Sequence, residues 1–243
     1  MLTTMKRLNS AAGAGSCALA AARRLLLGAA LLFAGRAAAA PAFAALDPAN
    51  TVSGYLARLL INETAFPGER GYVSEADSKG SMLAVLWVLH SRIQHIPSGY
   101  RQVQVAGVRS SNIVEVVTGG GGKRQCEGFY LNAAGKYVTA SRVEERIQNL
   151  LSIANRGGKP GRFAGLLNDA QGLARAYVEG GVEGADRYAG LTRVGGVDVT
   201  GRAYSWMTDV GTWHPGGNFV SIPSASGGSL AGNRFFTLRK APK

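Results

Sequence analysis

Four stretches of the chain place apolar residues three or four positions apart, the spacing of a helix with one buried face. These stretches are Val52–Leu60, Gly80–His95, Val143–Ala154 and Phe163–Tyr177. Asn50 or Ser53 is available as an N-cap of the first stretch. Ser141 and Glu144 have the spacing of a capping box before the third. The pattern therefore predicts four helices, and Ile96–Gly99 (Ile-Pro-Ser-Gly) ends the second of them.

The remaining parts of the chain have a different pattern. Val103, Val105 and Val108 recur at the spacing of a strand, so we predict extended structure over residues 100–117. The last third of the chain is interrupted by glycines, which predicts irregular loops and short strands such as Arg234–Leu238. Because strands and helices do not alternate, the sequence predicts an α-rich α+β fold, with its glycine-rich loops and short strands in the C-terminal part.

The N-terminal segment has the three parts of an export signal. Basic residues precede Leu25–Gly35, an apolar run of 11 residues that is too short to cross a bilayer. An alanine-rich segment follows, in which Ala42–Ala44 fits the small-x-small rule of signal peptidase. We therefore predict a cleavable signal peptide over residues 1–44, a cut after Ala44 and a single mature domain over residues 45–243. The mature protein is then periplasmic or secreted.

Export changes which partners the charge of the chain favours. The net charge is +12, and removing five basic residues with the signal peptide leaves +7. Outside the cytoplasm, a basic surface suits anionic polymers such as the cell wall, or anionic lipid head groups, and nucleic acid is not an expected partner. The predicted mature chain has no integral membrane span. The pair Arg23-Arg24 leaves the twin-arginine and general secretion routes both open.

The sequence offers few residues that would hold a metal or a nucleotide. Only Cys126 remains after the predicted cut, so the mature chain forms no internal disulfide. His90 and His95 lie five positions apart, which does not align them on one helix face for a shared metal. The glycines of residues 119–122 precede Lys123 at the wrong spacing for a phosphate-binding loop. We therefore predict neither a metal nor another cofactor.

Glu63 is the strongest candidate for chemistry. It lies at the C-terminal end of the first predicted helix, where the chain turns into Phe66–Gly68. Apolar neighbours and the negative end of the helix dipole both disfavour the charged carboxylate, and so both raise its pKa. A carboxyl that is protonated near neutral pH is what a glycosidic general acid requires. The alternative interpretation is a solvated glutamate at a helix end.

The segment that begins at Glu63 carries a longer pattern. Glu63–Glu69 reads Glu-Thr-Ala-Phe-Pro-Gly-Glu, and Gly80–Arg92 reads Gly-Ser-Met-Leu-Ala-Val-Leu-Trp-Val-Leu-His-Ser-Arg. Looser similarities follow at Gln125–Phe129, Trp213–Pro215 and Gly232–Phe236. In this order the segments resemble the SleB-type cell-wall hydrolases, the spore-cortex-lytic family, whose catalytic glutamate is followed by a helix of similar sequence.

The resemblance implies a lysozyme-like domain that acts on the glycan strands of peptidoglycan. It implies that Glu63 is the general acid and base that cleaves between N-acetylmuramic acid and N-acetylglucosamine, as in a lytic transglycosylase or a muramidase. It implies that further residues bind the substrate, and these are Glu69, Gln125, Phe129, Trp213 and His214.

A muramidase would need a second carboxylate, whereas a lytic transglycosylase would not. The carboxylates near Glu63 in the sequence are Glu69, Glu75 and Asp77. Aromatic residues available to stack on sugar rings are Tyr130, Tyr204, Trp206, Trp213 and Phe219.

Two other functions remain open from the sequence. Cys126 as nucleophile with His214 as base would give an amidase or peptidase that acts on wall peptides. Lys123 and Arg124, just before Cys126, would favour its thiolate. A non-catalytic, exported peptidoglycan-binding protein on a lysozyme-like scaffold is the other alternative, because a fold does not by itself confer activity.

Overall fold

Helices form the larger part of the fold, and strands follow mainly in the C-terminal part. The computed structural model describes residues 43–119, 126–156, 161–208, 215–223 and 229–241. The helices are α1 (Val52–Asn62), α2 (Glu75–Gln94), α3 (Gln102–Ala106), α4 (Ile113–Thr118), α5 (Ser141–Asn155) and α6 (Arg162–Gly180). The strands are β1 (Phe129–Leu131), β2 (Tyr137–Thr139), β3 (Leu191–Val194), β4 (Val197–Thr208), β5 (Phe219–Ser221) and β6 (Asn233–Arg239). This mixture of helix and sheet confirms the predicted α+β class. The predicted signal peptide lies outside the described residues, apart from Phe43 and Ala44.

The apolar faces of the helices meet in one core. α1 and α5 both pack on α6, while α2 contacts α6 on one side and β4 on another. α2 is buried around most of its circumference, so that even the polar Ser81 and Arg92 are buried. Such a helix lies in the middle of a domain, and here it separates the helical part from the sheet. Within the described ranges, no helix is long and apolar enough to cross a membrane.

The C-terminal strands form an antiparallel sheet in the order β3-β4-β6-β5. Gly195 and Gly196 connect β3 to β4 with φ angles of 54° and 82°, the conformation that a tight hairpin turn requires at both central positions. β4 pairs with β6 so that Trp206 lies opposite Phe235 and Thr208 lies opposite Asn233. This register brings Trp206 and Asn233 to the same end of two neighbouring strands.

The loop after α1 and the turn before β6 meet through their backbones. A Cβ atom on Gly71 would lie 2.6 Å from the Cα of Gly232, closer than a real side chain allows. The φ of Gly71 is also 90°, which favours glycine. Nearby, the N–H of Ala65 donates to the carbonyl of Ala231 over 3.3 Å. These contacts tie the C-terminal end of α1 to the sheet.

The chain just before α1 is fastened to α5 and α6. Ala44 is buried and exchanges two hydrogen bonds of 2.9 Å with the side-chain amide of Asn155. The carboxylate of Asp47 accepts from Gln171 and Arg175. Hydrogen bonding and charge from Arg175 hold the pKa of Asp47 down, at about 2. The segment from residue 43 to 47 is therefore part of the folded unit.

The four predicted helices are confirmed as α1, α2, α5 and α6. α2 begins five residues earlier than the apolar pattern indicates, at Glu75, because Ser74 caps it by accepting from the N–H of Asp77. The predicted capping box of α5 is wrong. Its N-cap is Ala140, and Glu144 instead binds Arg58 over 2.8 Å.

The extended structure predicted for residues 100–117 is also wrong, since α3 and α4 occupy this region. Asn112 caps α4 by accepting from Val114 N–H, and Gly119 ends it in the left-handed conformation. The β-branched residues of α4 are buried in the main core. Tertiary packing and short caps here override the strand propensity of valine and isoleucine.

Candidate active site

A cleft of about 700 Å³ opens where the C-terminal end of α1 meets α3 and β4. The residues of its lining that bear on chemistry are Glu63, Arg92, Gln104, Cys126, Glu127, Arg142, Trp206 and Phe219. Carboxylates, arginines and aromatic rings therefore face one space that is large enough for a ligand of several rings.

The carboxyl group of Glu63 is held by two hydrogen bonds within this cleft. The indole Nε1 of Trp206 donates to Oε2 over 2.9 Å. The side-chain amide of Asn62 donates to Oε1 over 3.3 Å, which is a weak contact. One oxygen is thus fixed firmly, while Oε1 is the oxygen more able to hold and release a proton.

Burial raises the pKa of Glu63 above its ordinary value. The hydrogen bonds from Trp206 and Asn62 and the charge of Arg146 oppose this rise, because they stabilise the carboxylate, whereas the negative charge of Glu127 adds to it. The net direction is upward, so protonated Glu63 persists to a higher pH than a solvated glutamate would. This is the condition expected from the sequence.

The backbone of Glu63 is fixed as firmly as its side chain. Glu63 ends α1, and its N–H donates to the carbonyl of Leu59 over 2.9 Å. Asn233, at the start of β6, donates to the carbonyl of Glu63 and, over 3.0 Å, to the hydroxyl of Ser81 in α2. Asn233 is 1% exposed. α1, α2 and β6 therefore converge on this one residue.

Arg92 lies behind Trp206, on the side of the cleft formed by α2. Its Cζ is 5.4 Å from the centre of the indole ring, and its Nε donates to the carbonyl of Tyr204 over 2.8 Å. Burial lowers the pKa of Arg92 to about 10, so the guanidinium remains charged at neutral pH. The cation over the ring restricts how the indole can turn, and this supports the orientation of the hydrogen bond to Glu63.

Glu69 lies beside the cleft and has a structural role. Its Oε2 accepts from the N–H of Phe66 over 2.7 Å, and both of its oxygens accept from Arg146. Arg146 also donates to the carbonyls of Ile61 and Thr64, over 2.7 and 3.1 Å. The ion pair therefore clamps the turn that carries Glu63, and Glu69 is absent from the cleft lining among the described residues.

Glu75 and Asp77, the other two carboxylates near Glu63 in the sequence, do not reach the cleft. Glu75 pairs with Lys79 over 3.0 Å, and Asp77 accepts from Ser74 at the start of α2. Both belong to the N-terminal end of α2, whereas the cleft is reached from its C-terminal part at Arg92.

The structure separates the predicted aromatic residues, and Tyr130, which is half-buried, is not among the described residues that line the cleft. Trp206 and Phe219 line the cleft and are half-buried. Phe129 and Tyr204 are buried, Phe129 with its ring edge-on to Tyr55, so neither of them presents a face for a sugar. The predicted substrate-binding residues Gln125, Trp213 and His214 lie outside the described residues.

Cys126 does not have the environment of a nucleophile. It is 3% exposed and packs in the main core. Burial and the neighbouring charge of Glu63 raise the pKa of its thiol above the usual range, although Arg92 opposes this. A reactive thiolate needs the opposite shift. The thiol is therefore a buried packing group beneath the cleft.

Sequence reasoning missed Glu127, Arg142 and Asn233 as members of the site. Glu127 follows Cys126 in a segment with no apolar period, and Arg142 was visible only as a polar residue near a helix start. Asn233 stands 170 residues from Glu63, and no local pattern links the two. A hint existed for Glu127 and Asn233, because they lie within Gln125–Phe129 and Gly232–Phe236, two of the segments that carried the resemblance.

The part of the chain that the structure describes contains no cluster of three histidine, cysteine or acidic side chains that could hold a metal ion. In comparisons with known proteins, no protein-family model, no curated protein and no solved structure matches this chain. The chemistry of the site therefore has to be argued from its own residues.

Proposed function

We propose that the protein is a glycosidase that cleaves the glycan strands of peptidoglycan, with Glu63 as its general acid. The observation that carries the proposal is the carboxyl of Glu63, whose pKa burial raises and which Trp206 orients inside a cleft of about 700 Å³. A glycosidic bond breaks when its leaving oxygen receives a proton, and a positioned, protonated carboxyl supplies it.

The geometry suggests how the proton is delivered. Trp206 donates to Oε2, so the acid proton resides on Oε1, whose contact with the amide of Asn62 is long. Transfer to the glycosidic oxygen leaves a carboxylate, and the same hydrogen bond from Trp206 then stabilises the negative charge. An interaction that strengthens as charge develops lowers the barrier rather than only binding the substrate.

The walls of the cleft support a carbohydrate ligand. Trp206 and Phe219 offer partly exposed aromatic faces, which suit the apolar faces of sugar rings. Gln104 and Ser205 add polar groups for hydroxyls and acetamido groups. The predicted export signal and the positive net charge favour the anionic cell wall over other polysaccharides. A lysozyme-like fold and a periplasmic or secreted location are part of this proposal.

The buried thiol of Cys126 gives no support to the amidase or peptidase alternative. A non-catalytic wall-binding protein would have no need of a buried carboxyl whose pKa is raised. Burying such a group costs stability, and this cost is more readily understood when the group has a chemical task.

The test is digestion of purified peptidoglycan by the purified protein, with released muropeptides identified by mass spectrometry. Wild type should release fragments cut between N-acetylmuramic acid and N-acetylglucosamine. Glu63→Gln should lose this activity by at least about 100-fold, since general acid catalysis contributes on the order of 10² to 10⁴. The matched control is Glu179→Gln, an exposed glutamate at the end of α6, which should cleave like wild type.

Two results would contradict the proposal. Wild type that sediments with the wall but releases no fragments would indicate a binding protein. Equal release by wild type and Glu63→Gln would remove Glu63 from the mechanism.

A further inference from the structure

We propose that Glu127 is the second carboxylate of the cleft and activates the water that completes cleavage, so that the reaction is a hydrolysis. This inference rests on the proposed function and adds the nucleophile that Glu63 alone does not provide.

The position of Glu127 is set by the chain that follows it. Gly128 has a φ of 86°, and a Cβ there would lie 2.7 Å from a methyl group of Val143 in α5. The carbonyl of Gly128 accepts from the N–H of Ala140 over 2.8 Å. The turn that carries Glu127 is therefore packed directly on the start of α5. Glu127 and Glu63 are both among the residues that line the cleft.

Glu127 forms an ion pair with Arg142 of α5. The Nη2 of Arg142 lies 2.7 Å from Oε1 of Glu127. The side chain of Glu127 is nevertheless 85% exposed, so the ion pair leaves it in contact with solvent. A carboxylate that faces water at the rim of a cleft is suited to take a proton from a water molecule.

The two carboxylates have opposite environments. Glu63 is enclosed, and burial raises its pKa, whereas Glu127 is exposed and is paired with a cation. Because the two carboxyl groups have different environments, one can start the reaction as an acid and the other as a base at the same pH. The negative charge of Glu127 also acts on Glu63 and favours its protonated form, so the two groups interact electrostatically.

No other acidic residue competes for this role among the described residues that line the cleft. Glu69 is held by Arg146, Glu75 pairs with Lys79, and Asp77 accepts from the hydroxyl of Ser74 at the start of α2. The carboxylates suggested by their proximity in sequence are thus used elsewhere in the fold.

The reaction can be written in full. Glu63 gives its proton to the glycosidic oxygen as the bond from that oxygen to C1 of the muramic acid breaks. Glu127 takes a proton from water, and the water oxygen forms the new bond to C1. The products are one strand with a reducing end and one with a free 4-hydroxyl group. Glu63 is left ionised and Glu127 protonated, and exchange with solvent restores both.

The experiment compares Glu127→Gln with wild type and Glu63→Gln on purified peptidoglycan. Wild type should yield reducing ends and no 1,6-anhydro ends. Glu127→Gln should lower the rate of reducing-end release by about 100-fold or more.

Two further variants separate chemistry from structure. Arg142→Gln removes the ion pair but keeps the carboxylate, so it should reduce activity less than Glu127→Gln does. Azide needs no base to attack C1, so it should restore turnover to Glu127→Ala and give a glycosyl azide.

The inference and the proposed function fail in different ways. Glycan cleavage that depends on Glu63 but yields anhydro ends, or that persists in Glu127→Gln, would overturn the role of Glu127 alone. Equal losses of activity in Arg142→Gln and Glu127→Gln, with no rescue by azide, would also overturn it. The ion pair between the two residues would then have only a structural role. Absence of glycan cleavage by wild type would overturn both.

Discussion

The indole Nε1 of Trp206 lies 2.9 Å from Oε2 of Glu63 and joins the middle of the sheet to the C-terminal end of α1. Trp206 was expected from the sequence to be a stacking surface for sugars. In the structure it also orients the candidate acid and tunes its proton affinity. In the proposed mechanism, one side chain would therefore combine substrate contact with control of the acid.

Replacing Trp206 by Phe should move the alkaline limb of the pH–activity profile to higher pH. The hydrogen bond stabilises the ionised carboxyl and lowers its pKa, so removing the donor raises the pKa of Glu63 further. The rate should also fall, by about 10-fold or more, because the carboxyl is less well oriented. The measurement is kcat against pH on soluble glycan fragments. Phe219→Leu, which removes an aromatic face that the structure does not link to Glu63, should lower affinity without moving the limb.

An unshifted alkaline limb in Trp206→Phe would mean that the indole does not act on Glu63 in solution.

Glu63→Gln should be more stable than wild type, and the difference should grow as pH rises. The pKa of Glu63 is higher in the folded protein than in the unfolded chain, whose value is near 4.5. From that pH upward, the unfolded chain releases the proton more readily, so wild type loses stability until the pH passes the folded pKa. A difference of ~1 kcal/mol corresponds to about 2–4 °C in Tm for a domain of this size. Melting curves at pH 4 and pH 8 measure it, and a constant difference would contradict the raised pKa.

With export as proposed, we expect the mature protein to begin at Phe43 rather than at Ala45. A cut after Ala44 would remove both hydrogen bonds between Ala44 and Asn155. Ala40–Ala42 also fits the small-x-small rule, and a cut after Ala42 would leave Ala44 in the mature chain. Intact-mass measurement of the exported chain gives its first residue. A chain that starts at Ala45 should be less stable than one that starts at Phe43, by about 1–2 kcal/mol. Equal urea midpoints for the two chains would count against this placement.

Cys126 should resist alkylation in the folded protein. Its thiol is buried and has a raised pKa, so little thiolate is present near neutral pH. Iodoacetamide at pH 7.5 should label the peptide that contains Cys126 only after denaturation, as followed by mass spectrometry. Cys126→Ala should retain wall cleavage. Rapid labelling of the native protein together with an inactive Cys126→Ala would restore the thiol as a candidate nucleophile.

Arg146→Lys should lower the free energy of unfolding by about 2 kcal/mol, since lysine cannot bind Glu69 in two places and also reach the carbonyls of Ile61 and Thr64. Activity should fall as well, because this clamp holds the turn that begins at Glu63. Urea denaturation measures the change. Arg193→Lys is the matched control, because Arg193 is exposed and lies 3.9 Å from Asp198, and it should leave the urea midpoint unchanged.

The sequence was informative wherever a physical signal is local. The spacing of apolar residues located α1, α2, α5 and α6, and the position of Glu63 at the end of an apolar helix indicated a raised pKa. Residues 100–117 were mispredicted because caps at Asn112 and Gly119 outweigh the strand propensity of the residues between them. The prediction of only short C-terminal strands missed the 12 residues of β4, since Gly201 interrupts this strand and its buried positions do not alternate regularly.

The partners of Glu63 could not be found in the same way. Trp206 is 143 positions away from it in sequence and Asn233 is 170 positions away. Their contact with Glu63 depends on the register between β4 and β6 and on the close approach of Gly71 to Gly232. The spacing of residues within one helix or strand carries no information about such long-range contacts.

The same separation has a consequence for the newly made chain. When the ribosome has released only the helical part, Trp206 and Asn233 are still absent, so neither the carboxyl nor the carbonyl of Glu63 has the partner that the sheet provides. Its proton affinity and its orientation are acquired only when the last strand of the sheet docks, a late and non-local step of folding. Nascent or truncated chains without the sheet therefore lack the oriented carboxyl, and the proposed activity should appear only in a chain that has completed its fold.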